Sequence, residues 1–168
     1  IAFPCFIGLM FLGKPILMLL YPTHDYVTGG GMLFVGSVAV VLYAVSNITG
    51  AVLQGINKMR LPVIHSAISL VIHVIVVYLL LQFTDAGVFA LIIGNIIFPL
   101  VVGILNMLAI YRYTTYRQEI VRTFLVPFVS AFSMGVIAAG FYYGLYSIWA
   151  HNTILVILSI AIAVISYF

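Results

Sequence analysis

Five of the six basic residues of this 168-residue chain fall in two short gaps between long apolar runs. Lys58 and Arg60 occupy one gap; Arg112, Arg117 and Arg122 occupy the other. The remaining gaps carry Asp25 and Asp85 and neither Lys nor Arg. Basic gaps that alternate with uncharged or acidic ones are the positive-inside signature of a chain that crosses a bilayer several times. The pattern predicts both basic gaps in the cytoplasm. Composition is consistent with this. The chain is 65% hydrophobic and 5% charged, whereas a soluble domain needs about 25% charged residues to face water. The net charge of +3 resides in loops, so anionic headgroups and not nucleic acid are the expected partner of Lys58, Arg60, Arg112, Arg117 and Arg122.

An apolar helix needs about 20 residues to cross roughly 30 Å of hydrocarbon. Six runs approach that length, at about 2–20, 32–56, 62–83, 87–110, 124–147 and 153 to the end. Backbone groups in lipid must satisfy one another, and none of these runs alternates with the period of two that a barrel strand requires, so each is expected to be a helix. The fold class is therefore all-α, a polytopic helix bundle. Tyr21–Gly31, with Pro22, His24, Asp25 and three consecutive glycines, reads as a polar flexible loop. Asn57–Leu61 reads as a tight basic turn ahead of Pro62, and Thr84–Gly87 as a second turn. The chain starts at Ile1 and stops at Phe168, both inside apolar runs, which leads us to expect a piece of a larger membrane protein.

Polar residues inside the spans are costly in lipid and should face other helices or water. Asn47, Gly50 and Gln54 recur at helical spacing in the second run. His65, Ser69 and His73 do so in the third, and Asn95, Pro99, Gly103 and Asn106 in the fourth. Two readings compete: small and amide residues joining helices, or a wall of a cavity for a polar cargo. On the second reading Asn47, Gln54, Ser69, His73 and Asn95 are the candidate cavity residues. Lys14, one residue before Pro15, joins them if its cation reaches inward rather than snorkelling to the interface. His65 is expected near the cytoplasmic interface, touching headgroups or water. Pro99 should bend its helix. Gly135, Ala139, Gly140 and Gly144 offer a small-residue face for the sixth run. No catalytic, nucleotide-binding or metal-binding motif is present, and the one cysteine, Cys5, has no internal partner. Neither a cofactor nor an enzymatic activity is expected.

Several stretches bear a family likeness. Residues 51–62, AVLQGINKMRLP, resemble the helix–loop–helix pattern x-L-Q-G-x-x-K-x-x-x-P of stage V sporulation protein B-like and other polysaccharide-biosynthesis membrane proteins. Pro4–Leu9 followed by Gly13–Ile16, the turn Asp85–Val88 and the stretch Phe132–Gly135 resemble further motifs of the same group, in order and along the whole chain. That group belongs to the multidrug/oligosaccharidyl-lipid/polysaccharide flippase superfamily.

The resemblance implies helices 9 to 14 of a fourteen-helix, two-lobed transporter. Residues 1–110 would form four helices of the C-terminal lobe, 111–123 a basic cytoplasmic loop and 124–168 a final helix pair that helps hold a lipid tail. It implies alternating-access translocation of a lipid-linked oligosaccharide or cell-wall precursor across the bacterial plasma membrane. The partners would be membrane lipids, the lipid-linked saccharide and an N-terminal lobe of the same polypeptide. Two alternatives remain open at this point: an ion-coupled multidrug exporter of the same superfamily, and a non-transport integral membrane enzyme or assembly subunit.

Overall fold

A computed structural model describes residues 1–22, 26–84, 87–114, 121–146 and 152–167. Every regular element among them is helical: α1 (Ala2–Leu20), α2 (Tyr26–Gly55), α3 (Arg60–Phe83), α4 (Val88–Thr114), α5 (Val126–Tyr146) and α6 (Asn152–Tyr167). A π-type turn at Val121–Leu125 leads into α5. The protein is an all-α, multi-pass membrane protein. Among the described residues, five helices are long and apolar enough to cross a bilayer, the last counted from Arg122 to Tyr146. The sixth, α6, is apolar but only 16 residues long, about 24 Å at 1.5 Å per residue.

The helices form two compact units: Ile1–Ser37 with Glu119–Phe168, and Val38–Gln118. The division falls within α2. In the first unit α1 packs on both α5 and α6, and α5 packs on α6. Its core contains Ile7, Leu12, Met134, Tyr142, Leu155 and Val156. Aromatic contacts set the direction of α1 against α5. Phe3 meets Phe124 and Phe128 edge-on, and Phe11 meets Phe132, at centroid distances of 6.1–6.3 Å. The two helices therefore run parallel. In the second unit α3 packs antiparallel on α4, and the latter half of α2 runs parallel to α4.

α3 shows how lipid inverts the usual pattern. Ile64, Ile68, Val71, Val74, Ile75 and Tyr78 are all exposed, while Pro62 and Ser69 are buried. With hydrocarbon as solvent, aliphatic side chains lose nothing by facing outward, and contacts between helices are left to small and hydrogen-bonding groups.

Three boundaries differ from the sequence expectation. α2 begins at Tyr26 and not near 32, so Gly29, Gly30 and Gly31 are helical. The reason is packing: a Cβ on Gly30 would sit 3.0 Å from Lys14 Cβ, and one on Gly29 3.0 Å from a Leu17 methyl. These glycines let α2 approach α1 closely, which outweighs their preference for turns. α4 continues to Thr114, four residues past the expected end, carrying the helix through Tyr111–Tyr113. α3 begins at Arg60, which places Pro62 in its first turn. Gly135, expected to face the sixth helix, meets Ile7 and Phe11 of α1.

The α2–α3 turn is closed by its own backbone. Asn57 adopts φ 63°. The Lys58 N–H donates to the Leu53 carbonyl (2.9 Å), and the Asn57 N–H to that of Gln54 (3.0 Å). This is a Schellman cap with Asn in the left-handed position, which it tolerates better than most residues. The 51–62 motif thus has a plain local role: Leu53 is fully buried, Asn57 ends one helix, and Pro62 sits where the next one starts.

Candidate functional site

The second unit is joined by a polar seam. Its centre is Asn106 on α4, whose side chain is entirely buried. The Asn106 amide nitrogen donates to the Ser46 carbonyl and to Thr49 Oγ1 on α2, both at 3.3 Å. Its Oδ1 lies 2.7 Å from His65 Nδ1 on α3. One side chain therefore ties three helices together. Gly50 makes the approach possible: a Cβ there would sit 3.7 Å from Asn106 Nδ2 and 3.9 Å from Pro62. Further along α3, the Ser69 hydroxyl donates to the Phe98 carbonyl at 2.6 Å, next to Pro99. His73 lies against Gly94, with its ring edge-on to Phe98 at 6.2 Å. At the basic end of this unit, Lys58 Nζ lies 4.7 Å above the ring of Tyr113, a cation–π contact between the α2–α3 turn and the end of α4.

The candidate cavity residues divide into two groups. Ser69 is buried and His73 half-buried, both on the α3–α4 seam. Asn47 and Gln54 share an exposed face of α2 with Tyr43, and Asn95 is exposed on α4. The buried face of α2 carries Ser46, Thr49, Gly50 and Leu53 instead. Lys14 is exposed, its stem against Gly30. Lys58, Arg60, Arg112 and Arg122 are exposed; Arg117 lies outside the described residues, as do Asp25, Asp85, His24 and His151. His65, expected to touch headgroups or water, is bonded to Asn106 because α4 presents that amide at its level. No group of His, Cys, Asp or Glu with metal-binding geometry occurs among the described residues.

Sequence reasoning missed Ser46 and Thr49. Their signal is local and weak, because each hydroxyl bonds back to its own helix: Ser46 to the Tyr43 carbonyl (3.0 Å), Thr49 to those of Val45 (2.8 Å) and Ser46 (3.0 Å). Only the partner across the seam shows that Thr49 also accepts a bond.

The first unit holds a different kind of site. α1, α5 and α6 leave a groove of about 350 Å³, walled by Gly8, Leu12 and Ile16 of α1, Met134 of α5, and Ile160 and Val164 of α6. Cys5 lies along it and is exposed. A Cβ on Gly8 would touch nothing within 4 Å, so this glycine keeps the floor open. From Cys5 to Ile16 the groove follows eleven residues of helix, roughly 16 Å, about half of the hydrocarbon thickness. Near its Ile16 end is a polar knot. Asn152 Nδ2 donates to the Pro15 carbonyl (3.2 Å), and Tyr142 donates to Asn152 Oδ1 (2.6 Å).

No family model, curated protein or solved structure matches the chain.

Proposed function

We propose that this protein is a membrane transporter, not an enzyme, and that it moves a lipid-linked polar cargo, such as a lipid-linked oligosaccharide or cell-wall precursor, across the bacterial plasma membrane by alternating access. The groove of the first unit is the observation that carries this reading. Its walls are apolar, and it follows about half of the hydrocarbon thickness. A prenyl or acyl tail gains by lying against such a wall. A soluble polar substrate gains nothing there.

The exposed amides of Asn47, Gln54 and Asn95 are a separate observation, made on the second unit alone. Amides left on the outer face of a membrane helix are costly unless water or polar groups meet them, and a hydrated headgroup-and-sugar path, walled in part by an N-terminal lobe of the same polypeptide, would meet them. In this scheme Lys58, Arg60, Arg112, Arg117 and Arg122 face anionic headgroups on the cytoplasmic side.

Cys5 provides the test, because it is the only cysteine among these 168 residues and it lines the groove. A photoactivatable maleimide on Cys5, in proteoliposomes containing a fluorescent polyprenyl-linked sugar, should crosslink to the polyprenyl chain. The same vesicles should move the sugar between leaflets. Labelling of bulk phospholipid alone, with no movement of the sugar, would overturn the proposal.

A further inference from the structure

Three basic residues gather at one end of the second unit. Lys58 and Arg60 stand on the turn between α2 and α3, and Arg112 in the last turn of α4. All three are exposed. The turn is held by its own backbone, through Asn57 in the left-handed conformation and the Lys58 N–H on the Leu53 carbonyl. From there the Lys58 side chain reaches across to α4, where Nζ lies 4.7 Å above the Tyr113 ring. Arg112 is the residue next to Tyr113. One cation–π contact thus draws the charges of two distant stretches of chain to one place.

The unit supplies no counter-charge there. None of α2, α3 and α4 contains an acidic residue. Its one acid, Asp85, follows the opposite end of α3, 24 residues of helix away, which is roughly 36 Å. Glu119 lies outside the described residues. Like charges held together at the edge of a low-dielectric layer repel, and an anion among them would offset this through charge-assisted hydrogen bonds. The flanking side chains say what else that anion carries. Arg60 heads an exposed apolar row on α3, continued by Ile64, Ile68 and Val71; Arg112 ends one on α4, after Ile104 and Leu108. A group that fits has a negative head and hydrocarbon behind it.

We propose that this end of the second unit is a discrete site for one anionic phospholipid, whose phosphate sits among Lys58, Arg60 and Arg112 and whose chains lie along α3 and α4. Tyr113 is a positioning residue: it holds the Lys58 ammonium where the phosphate needs it. The bound lipid joins the α2–α3 turn to the end of α4, beyond the reach of the Asn106 bonds. The proposal rests on the reading of these three residues as facing headgroups. It turns a diffuse attraction, which any basic loop near a charged surface shows, into a site with a stoichiometry and a chemistry. It does not depend on what the cargo is.

Native mass spectrometry of the protein released from detergent micelles tests it, with phosphatidylglycerol or phosphatidylcholine added in steps. One phosphatidylglycerol should be retained well before a second, and phosphatidylcholine should not be retained in its place. Inorganic phosphate in excess should not displace the lipid, because it lacks the chains. Lys58→Gln, Arg60→Gln and Arg112→Gln should each weaken retention about tenfold, the loss of a hydrogen bond to a charged group. Tyr113→Leu should weaken it too, without any change of charge. Lys14→Gln, which removes the same charge from the first unit, should leave it unchanged. Equal retention of the two lipids, displacement by inorganic phosphate, an equal loss in Lys14→Gln or no loss in Tyr113→Leu would each overturn the proposal. The first two are read in the unaltered protein and do not depend on a variant folding. No cargo is present in the measurement, so its failure is distinct from a failure of the crosslink at Cys5.

Discussion

The two units place their polar groups in opposite ways. In the second unit hydrogen bonds run through the seam from the basic end to mid-helix, through His65, Asn106, Thr49, Ser46 and Ser69. In the first unit the described bonds between helices collect at one end, around Asn152, and the remainder is packed aliphatic and aromatic surface with a groove left open. The contrast follows from the solvent. Lipid does not drive apolar faces together, so a unit must close either by interlocking shape or by polar bonds. The first unit relies mainly on shape, the second on bonds. They should respond differently to the same kind of damage.

The largest effect is expected where shape closes the first unit. A Cβ on Gly135 would run into an Ile7 methyl and lie 3.0 Å from the Phe11 ring. Gly135→Leu should force α5 off α1, with a destabilisation at or above the upper end of the roughly 1–3 kcal/mol typical of overpacking. The matching change in the second unit, Gly94→Leu, meets Val77 and a His73 carbon at 2.8 Å, but the Asn106 bonds lie about three helical turns away and should survive. Denaturation in mixed micelles would show the difference. If Gly94→Leu proves at least as damaging as Gly135→Leu, shape matters equally in both units and the contrast fails.

Next in size is the loss of a polar hub. Asn106→Leu removes three interactions and leaves His65 Nδ1 and the Ser46 side of the seam without their partner. Single bonds between membrane helices average about 0.6 kcal/mol, and leaving a buried polar group without its partner adds about 1–3 kcal/mol. A loss of about 2 kcal/mol is expected. Asn152→Leu, which removes two bonds near the end of the first unit, should cost about half as much. Ser69→Ala, one bond to a carbonyl, should cost about 0.6 kcal/mol. Equal losses for the two asparagine variants would show that the seam is no more important to its unit than the knot is to the other.

Much of this arrangement was legible in the sequence, and what was missed has identifiable causes. Lipid requires long apolar helices, so α1 was placed to the residue. Gly29–Gly31 read as a loop because glycine favours turns in isolation, and only Leu17 opposite Gly29 and Lys14 opposite Gly30 show why the chain is helical there. Asn47, Gly50 and Gln54 were read as one stripe. At 100° per residue Gly50 lies about 60° around the helix from Asn47, whereas Gln54 lies about 20° away. The seam cuts between them, leaving Asn47 and Gln54 exposed and Gly50 buried. Which side of that boundary faces a neighbour depends on the register of α2 against α4, which no single helix encodes. The first unit's groove was not legible from its residues. A lipid-tail role for the last helix pair came only from the family resemblance, and the share of α1, with Gly8 at its floor, depends on packing.

The smallest effect on stability is expected from filling that groove, and it separates folding from function. Gly8 faces open space where a side chain would start, so Gly8→Phe can place its ring among Leu12, Met134 and Ile160 without displacing backbone. New contacts offset the cost of glycine's replacement, and Gly is itself a poor helix former, by about 1 kcal/mol relative to Ala. The variant should unfold within about 0.5 kcal/mol of the parent, the range of a substitution that meets no special constraint. Its crosslinking from Cys5 to a polyprenyl chain, and the movement of the linked sugar, should both fall at least tenfold. Ser69→Ala in the second unit should leave the crosslink intact. If Gly8→Phe keeps full crosslinking and transport, the groove is packing space and the tail lies elsewhere. If it unfolds the first unit, the open floor at Gly8 is needed for shape, and the groove loses its claim to be a binding surface.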